Sequence, residues 1–174
     1  MNSPATAHVD RLLVTVPDFP SSGIQFRDLS PVFADAEAFR AVTQELVTPY
    51  AHQIDVIAGV EARGFVLAAS AAFAADRGLV VIRKAGKLPG QVLSEACDLE
   101  YGSAVLEMHP ATIPGQRMLI LDDVLATGGT LAAAVRLAER AGYVVVGIAV
   151  VLELEALNGR AALPGRDLRS ILTL

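Results

Sequence analysis

Residues 118–130, MLILDDVLATGGT, carry the pattern best suited to chemistry: an apolar run, two adjacent acids, then a Gly-Gly pair between threonines. Open α/β sheets bind ligands beyond the carboxyl ends of their strands, and acids placed there can accept hydrogen bonds from sugar hydroxyls. Inside a strand covered on both faces, the neighbours Asp122 and Asp123 would bury at least one charge, because successive residues face opposite sides. Gly128 and Gly129 let the backbone approach a ligand closely. The helix start that follows offers free N–H groups and a positive dipole end to a phosphate. Thr127 and Thr130 add hydroxyl donors. An ordinary strand-to-helix turn with Thr130 as a cap would leave the paired acids without a role.

Three further groups could take part. Phe26, Arg27 and Asp28 follow a Pro/Gly-rich opening and read as a loop, where a ring can stack on a flat base while backbone groups read its edge. From the residues alone the stronger reading is Phe26 in the core and Arg27 paired with Asp28. Glu61, Ala62, Arg63 and Gly64 fall between a strand and a helix, again at the ligand edge; a plain surface ion pair would also explain Arg63. Arg83, Lys84 and Lys87 suit a multiply charged pyrophosphate, although clusters of this kind are usually a solvated basic patch. His8, His52, His109 and Cys97 form no metal-ligand spacing. No serine has the G-x-S-x-G context of a hydrolase nucleophile.

The elements that must position these residues alternate. Residues 54–60, 79–83, 118–121 and 144–152 are short, β-branched and almost wholly apolar, as strands covered on both faces are. Between them, 36–50, 64–76 and 129–141 read as helices. Phe39, Val42 and Leu46 form one stripe, Leu131, Val135 and Ala138 another, and Gly142 stops the last helix as a left-handed cap. The expected fold is α/β, a mostly parallel sheet with helices on both sides. Residues 84–99 interrupt the rhythm as a long irregular stretch, which reads as a lid or binding loop. It leads to a hairpin turn at Tyr101, Gly102 and Ser103.

The chain has 174 residues, expected to form one domain over 1–174. Its 53% hydrophobic content supplies a core, and the aromatic share of 5% means that core is built from small branched side chains. A net charge of −5 argues against a nucleic-acid partner. The single cysteine excludes an internal disulfide framework and fits a reducing cytoplasm. Residues 1–10 lack the pattern of a secretory signal. The longest apolar runs, 65–75 and 143–152, fall short of the roughly 20 residues that cross a bilayer, so no membrane association is expected.

Residues 118–130 resemble the PRPP-binding fingerprint of the type I phosphoribosyltransferases. Residues 18–31 (DFPSSGIQFRDLSP), 61–65 (EARGF), 83–90 (RKAGKLPG) and 99–102 (LEYG) occur in the order and spacing of the adenine phosphoribosyltransferases within that family. The resemblance implies the type I phosphoribosyltransferase fold with a flexible hairpin loop over the active site. It implies transfer of the phosphoribosyl group of PRPP to adenine, giving AMP and pyrophosphate in purine salvage. By the same resemblance Asp122 and Asp123 hold the ribose hydroxyls, and Ala126, Thr127, Gly128, Gly129 and Thr130 bind the 5-phosphate. Arg63, Arg83, Lys84 and Lys87 meet the pyrophosphate, and Phe26 and Arg27 meet adenine. Glu100 is the implied catalytic residue, either protonating or hydrogen-bonding the base or stabilising charge at ribose C1. The Glu61–Ala62 peptide is expected to be cis. Mg2+ is expected as cofactor, carried mainly by PRPP rather than a protein cage, and a homodimer is implied. Ala85, Cys97 and Ser103 depart from the family pattern, and an alternative reading is another phosphoribosyltransferase or a non-catalytic PRPP sensor.

Overall fold

The computed structural model describes residues 3–19, 21–99 and 102–174. Ser3 opens α1 (Pro4–Leu12), its hydroxyl accepting from the Thr6 N–H at 3.1 Å with Pro4 in the first turn. A two-stranded antiparallel ribbon follows, β1 (Val14–Pro17) and β2 (Gln25–Asp28). The short α2 (Ser30–Ala34) leads to α3 (Ala36–Val47), capped by the Asp35 carboxylate at the Glu37 and Ala38 N–H groups. The helix expected over 36–50 stops at Val47 and continues as a 3₁₀ turn, Thr48–Tyr50, because Pro49 has no N–H to continue the α-helical ladder.

The main sheet has seven strands. They are β3 (Val56–Val60), β4 (Gly78–Lys84), β5 (Leu93–Leu99), β6 (Gly102–Met108), β7 (Arg117–Leu125), β8 (Val144–Glu153) and β9 (Leu168–Thr173). Their order across the sheet is β5-β6-β4-β3-β7-β8-β9, with β4, β3, β7, β8 and β9 parallel and the β5–β6 pair antiparallel at one edge. Between strands run α4 (Arg63–Ala75) and α5 (Gly129–Arg140). Gly142 ends α5 as expected, at φ 101°, while the Tyr143 N–H donates back to Ala138 O at 3.0 Å.

Two hydrophobic cores explain why the central strands are apolar throughout. Val56, Ala58, Val60, Met118 and Ile120 face α5, whereas Ile57, Leu119 and Leu121 face α1 to α4. On that second face Gly59 replaces a side chain with space: an added Cβ would lie 2.5 Å from Gly64 O and 2.7 Å from Ala68 Cβ. The start of α4 is thereby drawn down onto β3.

Several boundaries differ from the sequence expectation. β7 does not end before the acids but carries Asp122 and Asp123 within it, because β8 goes on pairing beside it from Asp122↔Val150 to Leu125↔Glu153. The stretch expected as irregular over 84–99 is strand from Leu93 onward, zipped to β6 with Ala96↔Val105 and Leu99↔Gly102. Phe26 to Asp28 lie in β2 rather than a loop, with Phe26 opposite Val16 and Arg27 opposite Thr15. Tyr101, assigned to the hairpin turn, lies outside the described residues. Because β3, β4 and β7 run parallel, the segments leaving their carboxyl ends, at 61–62, 85–92 and 126–128, emerge at the same edge of the sheet.

Candidate active site

Asp122 and Asp123 sit where β7 outruns β3, whose last pairing with it is Gly59↔Leu121. Both are almost fully buried, at 9% and 8% exposure, so they are not the solvated acids of an ordinary turn. Asp122 Oδ1 accepts the Asp123 N–H at 2.9 Å. Burial pushes the Asp122 carboxyl well above its ordinary range, and the neighbouring Asp123 charge raises it further. Gly64, in the first turn of α4, presses against this pair: a Cβ there would lie 2.8 Å from Leu121 O and 3.1 Å from Asp122 Oδ1.

Arg63 reaches across from α4. Its Nη2 stands 2.5 Å from Asp123 Oδ2, but off the line of an N–H donor, so this oxygen has a counter-charge and no hydrogen bond. A buried acceptor left in that state is suited to a ligand hydroxyl or to a hydrated cation. The same guanidinium lies 5.0 Å from the Phe26 ring centre, and Nη1 approaches the Arg27 carbonyl at 3.5 Å. Phe26 is half-buried and meets Phe19 edge-on at 5.1 Å. The Arg27 side chain turns away to the Thr15 hydroxyl, and Asp28 accepts from the Ser30 hydroxyl and N–H, so the two do not pair.

Glu61 gathers the basic cluster. Its carboxylate accepts from the Lys84 backbone N–H at 2.9 Å and Arg83 Nε at 3.4 Å, and it pairs with Lys87 Nζ. The Lys87 bond is the main reason its pKa falls from the ordinary 4.5 to about 2. Arg83 also caps the Lys87 carbonyl at 3.2 Å and lies 5.8 Å from the Phe65 ring centre. The Arg83 and Lys87 side chains and the Lys84 backbone are therefore tethered to one carboxylate. The sequence placed Glu61 at the ligand edge and its peptide with Ala62 is cis as expected, but its role as the carboxylate that gathers Arg83 and Lys87 was not foreseen, because those partners lie more than 20 positions away.

Ala126 to Gly128 bend the chain out of β7 into α5, whose first turn has no side-chain cap. Gly128 takes φ 82°, a conformation that a glycine adopts without steric cost. The first N–H groups of this twelve-residue helix thus have no side-chain cap, and Thr130 in its first turn lines the same cavity as the acids. A cavity of about 250 Å³ brings together Glu61, Ala62, Arg63, Lys84, Asp122, Asp123 and Thr130, and Cys97, Ala104 and Leu106 also line it. Arg83 and Lys87 join it through Glu61, and Phe26 through Arg63; Thr127 is exposed beside it. Glu100 lies outside the described residues. Among the described residues no cluster of His, Cys, Asp and Glu forms a metal cage.

The phosphoribosyl transferase domain family matches residues 34–163. The adenine phosphoribosyltransferase of Clavibacter michiganensis subsp. michiganensis is 61% identical over 173 residues, covering 99% of this chain and 98% of that protein. That of Arthrobacter sp. (strain FB24) is 58% identical over 172 residues, 98% of this chain and 93% of its own length. The crystal structure of adenine phosphoribosyltransferase from Rhodothermus marinus superposes with a TM-score of 0.91 at 46% identity, covering 98% of each chain. The Saccharomyces cerevisiae enzyme, solved with an imino-altritol bisphosphate and adenine, gives 0.89 at 34% identity over 97% of this chain and 98% of its own.

Proposed function

The chain belongs to the phosphoribosyl transferase domain family, and from that premise we infer that it transfers the 5-phosphoribosyl group of PRPP to adenine, giving AMP and pyrophosphate. The observation that carries this reading is the buried Asp122–Asp123 pair, with one carboxylate oxygen lacking a hydrogen bond, set directly before an uncapped helix start. Two acceptors beside free N–H groups match a sugar diol linked to a phosphate. Asp122 and Asp123 take the ribose hydroxyls, while Ala126, Thr127, Gly128, Gly129 and Thr130 take the 5-phosphate.

In the reaction the bond from ribose C1 to pyrophosphate breaks, a base nitrogen bonds to C1, and that nitrogen gives up its proton. Arg63, Arg83, Lys84 and Lys87 are the cations for the departing pyrophosphate, preassembled around Glu61 and Asp123. Phe26 supplies a face for adenine, held by Phe19 and the Arg63 guanidinium, with Arg27 contributing its backbone carbonyl nearby. The orphaned Asp123 oxygen and its buried neighbour also fit a hydrated Mg2+ brought by PRPP. When bound, Mg2+ supplies charge neutralisation at the pyrophosphate oxygens. Glu100 is the proposed catalytic residue by its place in the LEYG segment. Catalysis then rests on positioning and electrostatics in a water-poor cleft.

A homodimer is the proposed assembly. Ala62, Val66, Ala69 and Phe73 form an exposed stripe along α4 with no charged side chain in it, and Phe73 is 92% exposed. Among the described residues no helix is long and apolar enough to cross a membrane. The cytoplasm is the proposed setting, supported by the single cysteine.

The test is AMP formation from purified protein with adenine, PRPP and Mg2+, run beside hypoxanthine, guanine and orotate. Adenine-selective product, lost when Asp122→Asn and Asp123→Asn are combined, is expected. Product from a different base alone would overturn the Phe26 assignment. PRPP binding without product from any base would make the chain a sensor rather than an enzyme.

A further inference from the structure

We propose that the turn Gly159–Ala162, near the C-terminal end of the chain and outside the substrate cavity, is the rest that fixes the position of the 5-phosphate loop, and that Arg160 and Glu153 lock this turn in place. The proposal rests on the assignment of residues 126–130 to the 5-phosphate.

The loop and the turn meet backbone to backbone. A Cβ added at Gly128 would fall on the Gly159 carbonyl oxygen and lie 2.9 Å from Ala162 Cβ. Reciprocally, a Cβ at Gly159 would fall on the Ala126 carbonyl oxygen and lie 2.8 Å from Leu125 Cδ1. Neither glycine can carry a side chain without parting the two segments, so the phosphate loop is seated directly on the turn. The Leu154 N–H donates to Leu125 O at 2.9 Å, tying the residue that follows β8 to the end of β7 just before the loop.

The turn is itself held by a buried charge. Glu153 ends β8 at 7% exposure. Arg160 grips it with two bonds, Nε to Oε1 and Nη2 to Oε2, both 2.7 Å. Ser170 Oγ donates to the same carboxylate at 2.7 Å, and Arg160 Nη1 donates to Leu168 O at 3.0 Å. One guanidinium therefore links β8, β9 and the turn between them, in the planar two-pronged geometry that lysine cannot reproduce. None of Glu153, Gly159 and Arg160 lines the cavity that holds Asp122 and Asp123.

A phosphate gripped by backbone N–H groups is sensitive to where those groups stand, because hydrogen bonds fade steeply with distance and angle. Gly159 and Arg160 are thus positioning residues for PRPP and not for adenine. Steady-state kinetics of Gly159→Ala and Arg160→Ala, with Thr130→Val as a direct perturbation of the loop, tests this. The expected result is a rise in KM for PRPP on the order of 10-fold in the first two variants, with KM for adenine little changed. Arg160→Lys should recover only part of the loss.

If Gly159→Ala does not fold, Arg160→Ala and Glu153→Gln carry the same expectation. An unchanged KM for PRPP in the folded variants, with Thr130→Val still raising it, overturns the proposal alone. Equal losses for both substrates also overturn it, since that pattern marks general destabilisation. No effect of Thr130→Val on PRPP would overturn the loop assignment, and the proposal with it.

Discussion

Arg63 and Asp123 meet at 2.5 Å, guanidinium Nη2 to carboxylate Oδ2, joining the first turn of α4 to the buried end of β7. The same guanidinium covers the Phe26 ring at 5.0 Å, so one side chain touches the proposed places of both substrates. Arg63→Ala is expected to lower kcat/KM for adenine and for PRPP together, by roughly 100-fold or more, since it uncovers a buried carboxylate and removes a proposed pyrophosphate contact. Phe26→Ala, in contrast, is expected to raise KM for adenine by about 10-fold while leaving PRPP nearly unaffected. A uniform effect of Phe26→Ala on both substrates would sink the division of roles.

Asp122 makes the free protein sensitive to pH. Its carboxyl is raised by burial, so its neutral form is favoured in the fold, and stability falls as pH rises through the raised value. Asp122→Asn removes that loss. The thermal midpoint of Asp122→Asn, relative to the native protein, should therefore climb as pH increases from acid to neutral, while PRPP affinity drops. A difference that stays flat with pH would contradict the burial argument.

Glu61 works in the opposite sense. Its pKa is lowered from 4.5 to about 2 by Lys87, Lys84 and Arg83, so its stabilising hold is fully present above 4.5 and lost as pH falls through about 2. The gap in thermal midpoint between the native protein and Glu61→Gln should shrink across that window. At neutral pH, Glu61→Gln should also be cut faster by trypsin at Lys84 and Lys87, because the segment loses its tether. Equal cleavage rates would show that the tether does not order the segment.

Phe73 tests the assembly. At 92% exposure it contributes little to the fold of a single chain, so Phe73→Asp should keep native secondary structure by circular dichroism. In sedimentation velocity the native protein is expected as a dimer and Phe73→Asp as a monomer at the same concentration. A native monomer, or an undisturbed Phe73→Asp dimer, would remove α4 as the interface.

The one-dimensional pattern determined the fold class and marked residues 118–130 as the candidate site. Short apolar strands alternating with striped helices force a sheet covered on both faces, and acids followed by glycines mark the end of a strand at a helix start. Those signals are local, set by the strand and helix periods, and residues 118–130 contain both. The pairing of Asp122 with Val150 is not local. How far β7 runs depends on the length of β8, so burial of the acids was decided only when the sheet assembled. The tertiary structure likewise turned Phe26 to Asp28 into a ribbon strand by placing them opposite Val14 to Val16. It brought Glu61 to Lys87 across 26 positions of chain, and Gly159 onto Gly128. Contacts of that kind arise between surfaces whose spacing in sequence carries no period, which is why candidate residues could be named from the sequence and their partners could not.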